Sequence, residues 1–413
     1  MTRIQSRRDT AANWAAGNPI LAVGQIGVDL TNHQIRVGDG GTAWLGLPTY
    51  SDDAAANATY VPVIPLTGKS KSTSVARLQA ALSTRDVAPL DILVIGDSIT
   101  EGAGASQYAF RYVSKLREAL RAAFPTPGIG SGGGVNYRTA FPEQGSIPKN
   151  PPGSFTADAR YGFGKRSIQL VGGTNLVFTE RATSFKISWY QDTGTGSFTY
   201  SVDGGAPVTV NTVGAHSGET LTTITGLAEG VHTLTLAWVS GFVEINGIQV
   251  YCRDEASGIR IWESGHFGYK SSDFLAGISG GGPQDWMQSI TNVQPHHVII
   301  ELGANDALTD SAATFQGNLA TLMAAVRSHI TTSPGFTLVA VGERQDTLVE
   351  PWANYVAKMT GMASSDGGID VVDMTKVIPK STGGGDLWWY DGVHPSDYGH
   401  KLIGQAIADF ITP

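Results

Sequence analysis

The chain has a single cysteine, Cys252, among 413 residues, which excludes an intrachain disulfide and any cysteine pair at metal-ligand spacing. Charge is also scarce: Asp, Glu, Lys and Arg make up 15% of the chain, and the net charge is −8. With 28 basic against 36 acidic residues and no basic stripe, nucleic acid is excluded as a main partner. No stretch reaches the roughly 18 uninterrupted apolar residues of a membrane-spanning helix, so no span is expected. The opening run from Met1 to Asp9 lacks the apolar segment of a secretory signal. The expectation is a protein made in the cytoplasm that stays there or leaves by another route, such as cell lysis.

What the chain has in excess is glycine, 52 residues, which favours β-rich, loop-rich architecture over long exposed helices. Its length exceeds one ordinary core, so two or three domains are expected. Residues 1–50 read as a small β-rich unit. Gln25 to Leu30 and Gln34 to Val37 are short β runs joined by Thr31-Asn32-His33, followed by the tight loop Gly38-Asp39-Gly40-Gly41-Thr42-Ala43-Trp44. Residues 51–88 have the composition of a linker, interrupted by Val75, Leu78 and Leu82 at helical spacing.

From Leu90 the pattern becomes α/β. Ile92 to Ile95 reads as a buried strand, and Phe110, Val113, Leu116, Leu120 and Phe124 follow at helix period. The alternation resumes with strands at Ile259 to Trp262, Val298 to Leu302, Leu338 to Val341 and Val371-Val372. Helices are expected on Phe315 to Val326, on Trp352 to Met359 and on Leu402 to Phe410, the last with Ser396 as N-cap. Strands alternating with helices imply a parallel sheet covered on both faces. Between the two stretches, residues 135–255 show only period-2 alternation, as in Phe185, Ile187 and Trp189 or Leu234, Leu236 and Trp238. That segment is expected to be an inserted β-sandwich or jelly roll. The α/β domain is therefore discontinuous, 89–134 plus 256–413.

Three short runs carry chemistry, each at a strand end. Gly96-Asp97-Ser98 follows the first strand, where parallel sheets gather their sites. Gly303-Ala304-Asn305-Asp306 follows another, and an asparagine amide there can donate to a developing oxyanion. Asp391-Gly392-Val393-His394-Pro395 puts a carboxylate three positions before an imidazole, so that Asp391 can hold Nδ1 while Nε2 points outward. A serine is inert at neutral pH without such a base. Trp388-Trp389-Tyr390 abuts this run; these aromatics can stack on a sugar ring, with core packing the competing role for one tryptophan. Gly277-Ile278-Ser279-Gly280-Gly281 fits a nucleophile-elbow pattern but sits in a glycine run with no strand before it, so it is expected to be a loop. His296-His297 lacks spaced carboxylate partners and reads as structural; no metal or other cofactor is called for.

In order and placement the three runs resemble the SGNH (GDSL-type) hydrolases. The resemblance implies a flavodoxin-like three-layer α/β/α domain and ester hydrolysis through a seryl-acyl intermediate. It makes Ser98 the nucleophile, His394 the base and acid, and Asp391 its orienter. The oxyanion hole it implies is the Ser98 amide, the Asn305 side chain and a glycine amide. Family spacing favours Gly268, with Gly265 the alternative. The insertion is similar in placement to the carbohydrate-binding-type module of certain peptidoglycan O-acetyl esterases. The runs Ile4 to Thr10, Leu21 to Gly27 and Gly38 to Trp44 resemble the N-terminal module of bacteriophage tail-fibre and receptor-binding proteins. Together the resemblances imply a virion-borne tail esterase, trimeric, attached to phage tail proteins through its N terminus. It would remove O-acetyl groups from a host cell-surface polysaccharide or peptidoglycan-type glycan. The alternative is a receptor-binding tail protein that uses the hydrolase scaffold for recognition with little turnover.

Overall fold

The computed structural model describes residues 7–51, 73–141, 156–276 and 286–412, apart from positions 24, 33, 48, 49, 159, 174 and 332. Most of the expected linker and the Gly277–Gly281 run lie outside the described residues. The chain divides into two compact units, Met1–Pro65 and Leu66–Pro413.

In the first unit Ile26–Asp29 and Gln34–Val37 pair antiparallel, with Arg7–Asp9 added parallel on one side and Tyr50–Ser51 on the other. A helix that the sequence reading missed, Ala11–Gly17, is capped by the Thr10 hydroxyl. Its Trp14 stacks on Trp44 at 3.9 Å, and with Leu21 and Leu47 these rings form the unit's small core. Arg36 Nη1 donates to the Trp44 and Leu47 carbonyls at 2.5 and 2.8 Å. The Asp39 carboxylate accepts from the Gly41 and Thr42 amides, which closes the loop that delivers Trp44.

The second unit is built on a parallel five-stranded sheet: β1 (Pro89–Gly96), β2 (Gly258–Gly265), β3 (His297–Glu301), β4 (Gly335–Ala340) and β5 (Ile369–Asp373), in spatial order β2-β1-β3-β4-β5. Alternation along β1 sends Leu93 and Ile95 into a core with Phe315, Leu319 and Tyr355 from the helices Ala312–His329 and Trp352–Ser365. Ile92 and Val94 are equally buried and face the other way. The helices Tyr112–Ala123 and Asp397–Ile411 pack on each other, and Ser396 caps the latter by accepting from the Gly399 amide at 3.2 Å. Strand order and direction are those of a doubly wound parallel sheet.

Between β1 and β2 the period-2 stretches form two antiparallel sheets. One orders Ser217–Ile224, Ser184–Gln191, Glu244–Tyr251, Ser167–Gln169 and Thr156–Asp158, with Asn136–Thr139 also on Glu244–Tyr251. The other orders Val208–Asn211, Ser197–Val202, Gly230–Ser240 and Asn175–Ala182. Phe185, Ile187 and Ile248 from the first share one apolar core with Phe178, Phe198 and Leu236 from the second. The insertion is tied to the α/β layers by buried and partly buried polar contacts. Arg121 donates to Asp254 at 3.0 Å, and Asn292 Nδ2 donates to Glu219 at 2.8 Å. Arg166 Nη2 donates to Glu263 at 2.6 Å.

Candidate active site

Gly96 ends β1 because nothing larger fits: a Cβ there would lie 2.5 Å from the Glu301 carbonyl oxygen. The chain turns at Asp97, whose carboxylate accepts from the Ile99 amide at 2.9 Å and starts the short helix Ser98–Glu101. Ser98 thus stands at the carboxyl end of the sheet. The loop bearing His394 comes close to it because Gly104, at φ +96°, leaves room; a Cβ there would lie 2.1 Å from the Pro395 carbonyl oxygen.

Asp391 Oδ1 accepts from the Val393 and His394 amides, both at 2.7 Å, and Oδ2 accepts from His394 Nδ1 at 2.8 Å. A carboxylate only accepts, so Nδ1 carries the proton and Nε2 is left with a lone pair. Ser98 Oγ lies 2.9 Å from that Nε2 and donates to it. Partial burial raises the Asp391 pKa, but the bonds from the His394 ring and from the two amides outweigh it and hold the carboxyl below its usual range. An ionised acid, a neutral imidazole and a hydroxyl in line can pass the hydroxyl proton to Nε2 as the oxygen attacks an electrophile.

The remaining elements converge on the same rim. Phe267 stacks on the His394 ring at 5.6 Å between centroids. Next to it, Gly268 is exposed at φ +81°, a backbone geometry that suits glycine, and its amide has no acceptor among the described residues. Tyr269 follows, and its carbonyl accepts from Asn305 Nδ2 at 3.0 Å. The structure therefore brings Asn305 and Gly268 to one loop cluster. Gly265 is placed differently. It is buried in β2, and its amide already donates to Glu263 Oε1 at 2.5 Å.

One of the sequence-predicted aromatics is not a platform. Trp389 is 1% exposed and its indole donates to the Pro379 carbonyl at 2.8 Å, so it is a packing residue, which corrects its assignment as a sugar-stacking group. Trp388 is half-buried with its ring edge-on to Tyr398. Tyr390 is exposed. His297 is buried against the Thr337 hydroxyl at 2.8 Å, and burial pulls its pKa down to about 3, a structural neutral imidazole.

Sequence reasoning missed the layer under the nucleophile. Glu101 and Glu263 are buried with Arg111 and Arg166, and Glu101 Oε2 accepts from the Phe267 amide at 2.7 Å. No sequence pattern pointed to this set, because its members meet only through tertiary contacts. Beside them, Glu301 accepts from the Thr100 hydroxyl at 2.9 Å. Burial, reinforced by the neighbouring Asp97, raises the Glu301 pKa well above the carboxylate range. Burial likewise lifts Asp97 to about 7.

Unfolded carboxyls titrate near pH 4. Between there and the folded values, the native state keeps protons that the unfolded chain has lost, so these groups subtract stability as pH rises through that window. Glu301→Gln keeps the hydrogen-bonding shape without the proton. Its melting temperature is expected to match wild type near pH 4 and to exceed it increasingly toward pH 8. Thermal melts at three pH values check this, and an offset independent of pH would count against it.

Comparison with known proteins recognises two domains in the chain. Residues 261–402 match the model of the GDSL-like Lipase/Acylhydrolase family, and residues 4–42 match that of the Major tropism determinant N-terminal domain. The chain carries a GDSL-like acylhydrolase domain. The matched acylhydrolase span contains Asn305, Asp391 and His394, while Ser98 lies upstream, on the far side of the insertion. This is a serine ester hydrolase. Its fold is similar to that of a solved peptidoglycan O-acetylesterase, with a TM-score of 0.59 at 16% identity over 83% of this chain and 95% of that one. A two-domain esterase active on acetylated mannans matches at TM-score 0.39 and 13% identity over 81% of this chain and 52% of that one. A family two carbohydrate esterase from Clostridium thermocellum matches at TM-score 0.30 and 16% identity over 62% and 97%. No curated protein matches the chain. Among the described residues, no helix of the acylhydrolase or its insertion is long and apolar enough to cross a membrane.

Proposed function

We propose that this protein is a phage tail-associated esterase that removes O-acetyl groups from a host cell-surface glycan. The observation that carries the reading is the unbroken line from the Asp391 carboxylate through the His394 ring to Ser98 Oγ, at 2.8 and 2.9 Å. Ser98 Oγ attacks the ester carbonyl carbon while its proton passes to His394 Nε2. The carbonyl oxygen takes up negative charge before the Ser98 and Gly268 amides and Asn305 Nδ2. Collapse breaks the bond to the sugar oxygen, which leaves with the proton from Nε2. Water then attacks the acyl-serine, its proton goes to Nε2, and release of the acid returns that proton to Ser98.

Residues 1–50 would be the attachment module, 51–88 its linker, and 135–255 a glycan-binding jelly roll inserted in the hydrolase domain 89–134 plus 256–413. Trimeric assembly on the tail and virion localisation belong to the same proposal. The tropism-determinant match supports the tail context, and the fold shared with a peptidoglycan O-acetylesterase supports the substrate class. The tropism match also favours a second reading, recognition of the receptor with slight turnover.

Purified protein mixed with O-acetylated peptidoglycan and with acetylated envelope polysaccharides should release acetate from at least one of them. Release from p-nitrophenyl acetate but from no glycan would remove the glycan deacetylase reading. Binding to the glycan without any acetate release would favour the second one.

A further inference from the structure

The amide of Asn305 is held in place from behind by a cation. Arg344 lies on the loop after β4, half-buried, with its Nε donating to Asp346 at 2.6 Å. Its Nη1 donates to Asn305 Oδ1 at 3.1 Å and to the Ala304 carbonyl at 3.0 Å. On the other side of the same amide, Nδ2 donates one hydrogen to the Tyr269 carbonyl at 3.0 Å. A guanidinium can only donate and a carbonyl can only accept, so these two contacts fix which end of the Asn305 amide is which. Without Arg344, the amide could turn and put an acceptor where the reaction needs a donor.

We propose that Arg344 is a positioning residue for ester hydrolysis. It locks the Asn305 amide with its second Nδ2 hydrogen free for the oxyanion, and it polarises that amide as a donor. A hydrogen bond from a charged group into the amide oxygen draws electrons from nitrogen and makes its hydrogens better donors. The charge is also felt at the nucleophile turn: burial dominates the Asp97 pKa, and Arg344 acts against it to favour the ionised form. The same loop serves the other half of the site, since the Gln345 amide donates to the Gly392 carbonyl at 2.8 Å, inside the run that bears Asp391 and His394. Arg344 therefore stands where a shift of one loop would loosen both the charge-accepting donor and the base.

The inference rests on the serine-esterase reading of the site, and its effect is bounded by it. A residue acting through Asn305 cannot matter more than Asn305 itself, whose removal is expected to cost about 10²–10³-fold. Four variants tested on p-nitrophenyl acetate decide the matter: Arg344→Met, Arg344→Lys, Asn305→Ala and the double variant Arg344→Met with Asn305→Ala. Arg344→Met should lower kcat by about tenfold or more, within that bound, with KM nearly unchanged, because the interaction is made in the transition state. Arg344→Lys, which keeps the charge and one donor, should fall between Met and wild type. In the Asn305→Ala background, Arg344→Met should change kcat less than about twofold, since the group it positions is gone.

Wild-type kcat in Arg344→Met, or losses that multiply in the double variant, would overturn the proposal. A general packing role predicts the multiplied losses. If Arg344→Met does not fold, the same cycle is run with Arg344→Lys and is read in the same way. Ser98→Ala separates the two levels. If it is as active as wild type, the esterase reading falls and this proposal with it. If it is inactive while the Arg344 variants are unimpaired, only this proposal falls.

Discussion

Ser98→Ala is expected to reduce kcat for p-nitrophenyl acetate by about 10⁴–10⁶-fold and to abolish the initial burst of p-nitrophenol. The loss is that large because no other hydroxyl can substitute. The one hydrogen bond of Ser98 Oγ among the described residues is to His394 Nε2, so its removal leaves base and acid intact with nothing to deprotonate except water. For the same reason His394→Ala should cost nearly as much, and the double variant little more than either alone. The three groups act as a unit, and breaking it once forfeits most of what it gives. The fold should not change: Asp97 continues to cap the short helix through its own carboxylate, at 2.9 Å from the Ile99 amide. Stopped-flow absorbance on wild type and variant at matched melting temperature provides the measurement. Equal rates would take Ser98 out of the mechanism.

The layout of the α/β domain was legible because its strands are buried on both faces and its helices on one. Continuous apolar runs such as Ile92 to Ile95, set against helix-period runs such as Phe315 to Val326, give different periodicities. The observed β1 and β5 extend those runs by a few residues, to Pro89–Gly96 and Ile369–Asp373, while β3, His297–Glu301, is the expected run shifted back by one residue. The added positions in β1 include Asp91, a polar residue whose partner, like that of Glu301 inside the expected run, comes from a distant part of the chain. Asp91 pairs with Arg260 at 2.7 Å, and Glu301 receives Thr100. Period-2 alternation gave the inserted strands, because one face of each sheet packs on the other sheet. The helices Ala11–Gly17 and Met287–Val293 escaped because seven residues span two turns at most, too few for a period to show.

The triad was legible for a local reason. Asp391 and His394 share one short loop, and the turn that their spacing dictates is the one that lets Oδ1 take two amides while Oδ2 takes the ring. Trp389 misled because an aromatic next to a catalytic loop and an aromatic under it look alike in sequence. Only the close packing beneath, where a Cβ on Gly342 would lie 2.8 Å from its ring, tells them apart. Arg344 and the buried Glu101, Glu263, Arg111 and Arg166 set left no signal, since each meets its partner through tertiary contacts between loops or layers. Arg166 belongs to the insertion. It supplies a buried cation to the two carboxylates that hold the Phe267 and Gly265 amides, so the insertion contributes to the floor of the site.

Asn305→Ala is the second large effect. It should lower kcat about 10²–10³-fold, or about 2.7–4 kcal/mol, with KM little altered. A planar ester oxygen makes poor use of a donor placed for a tetrahedral oxyanion, so the ground state loses little when that donor goes. The amide side chain bridges Arg344 and the Tyr269 carbonyl at 3.1 and 3.0 Å, and alanine frees both. Some loosening of the Gly268 loop is therefore included in the expected loss. Asn305→Asp separates the two contributions. It is the same size and still accepts from Arg344, but it sets an oxygen against the Tyr269 carbonyl and a negative charge where the substrate oxygen becomes negative. Its kcat should fall below that of Asn305→Ala. If Asn305 were only a packing residue, the isosteric Asp would be the milder change. Steady-state kinetics on the two variants, with kcat and KM resolved separately, distinguishes these orders. Asn305→Asp more active than Asn305→Ala would show that charge does not build up beside this amide.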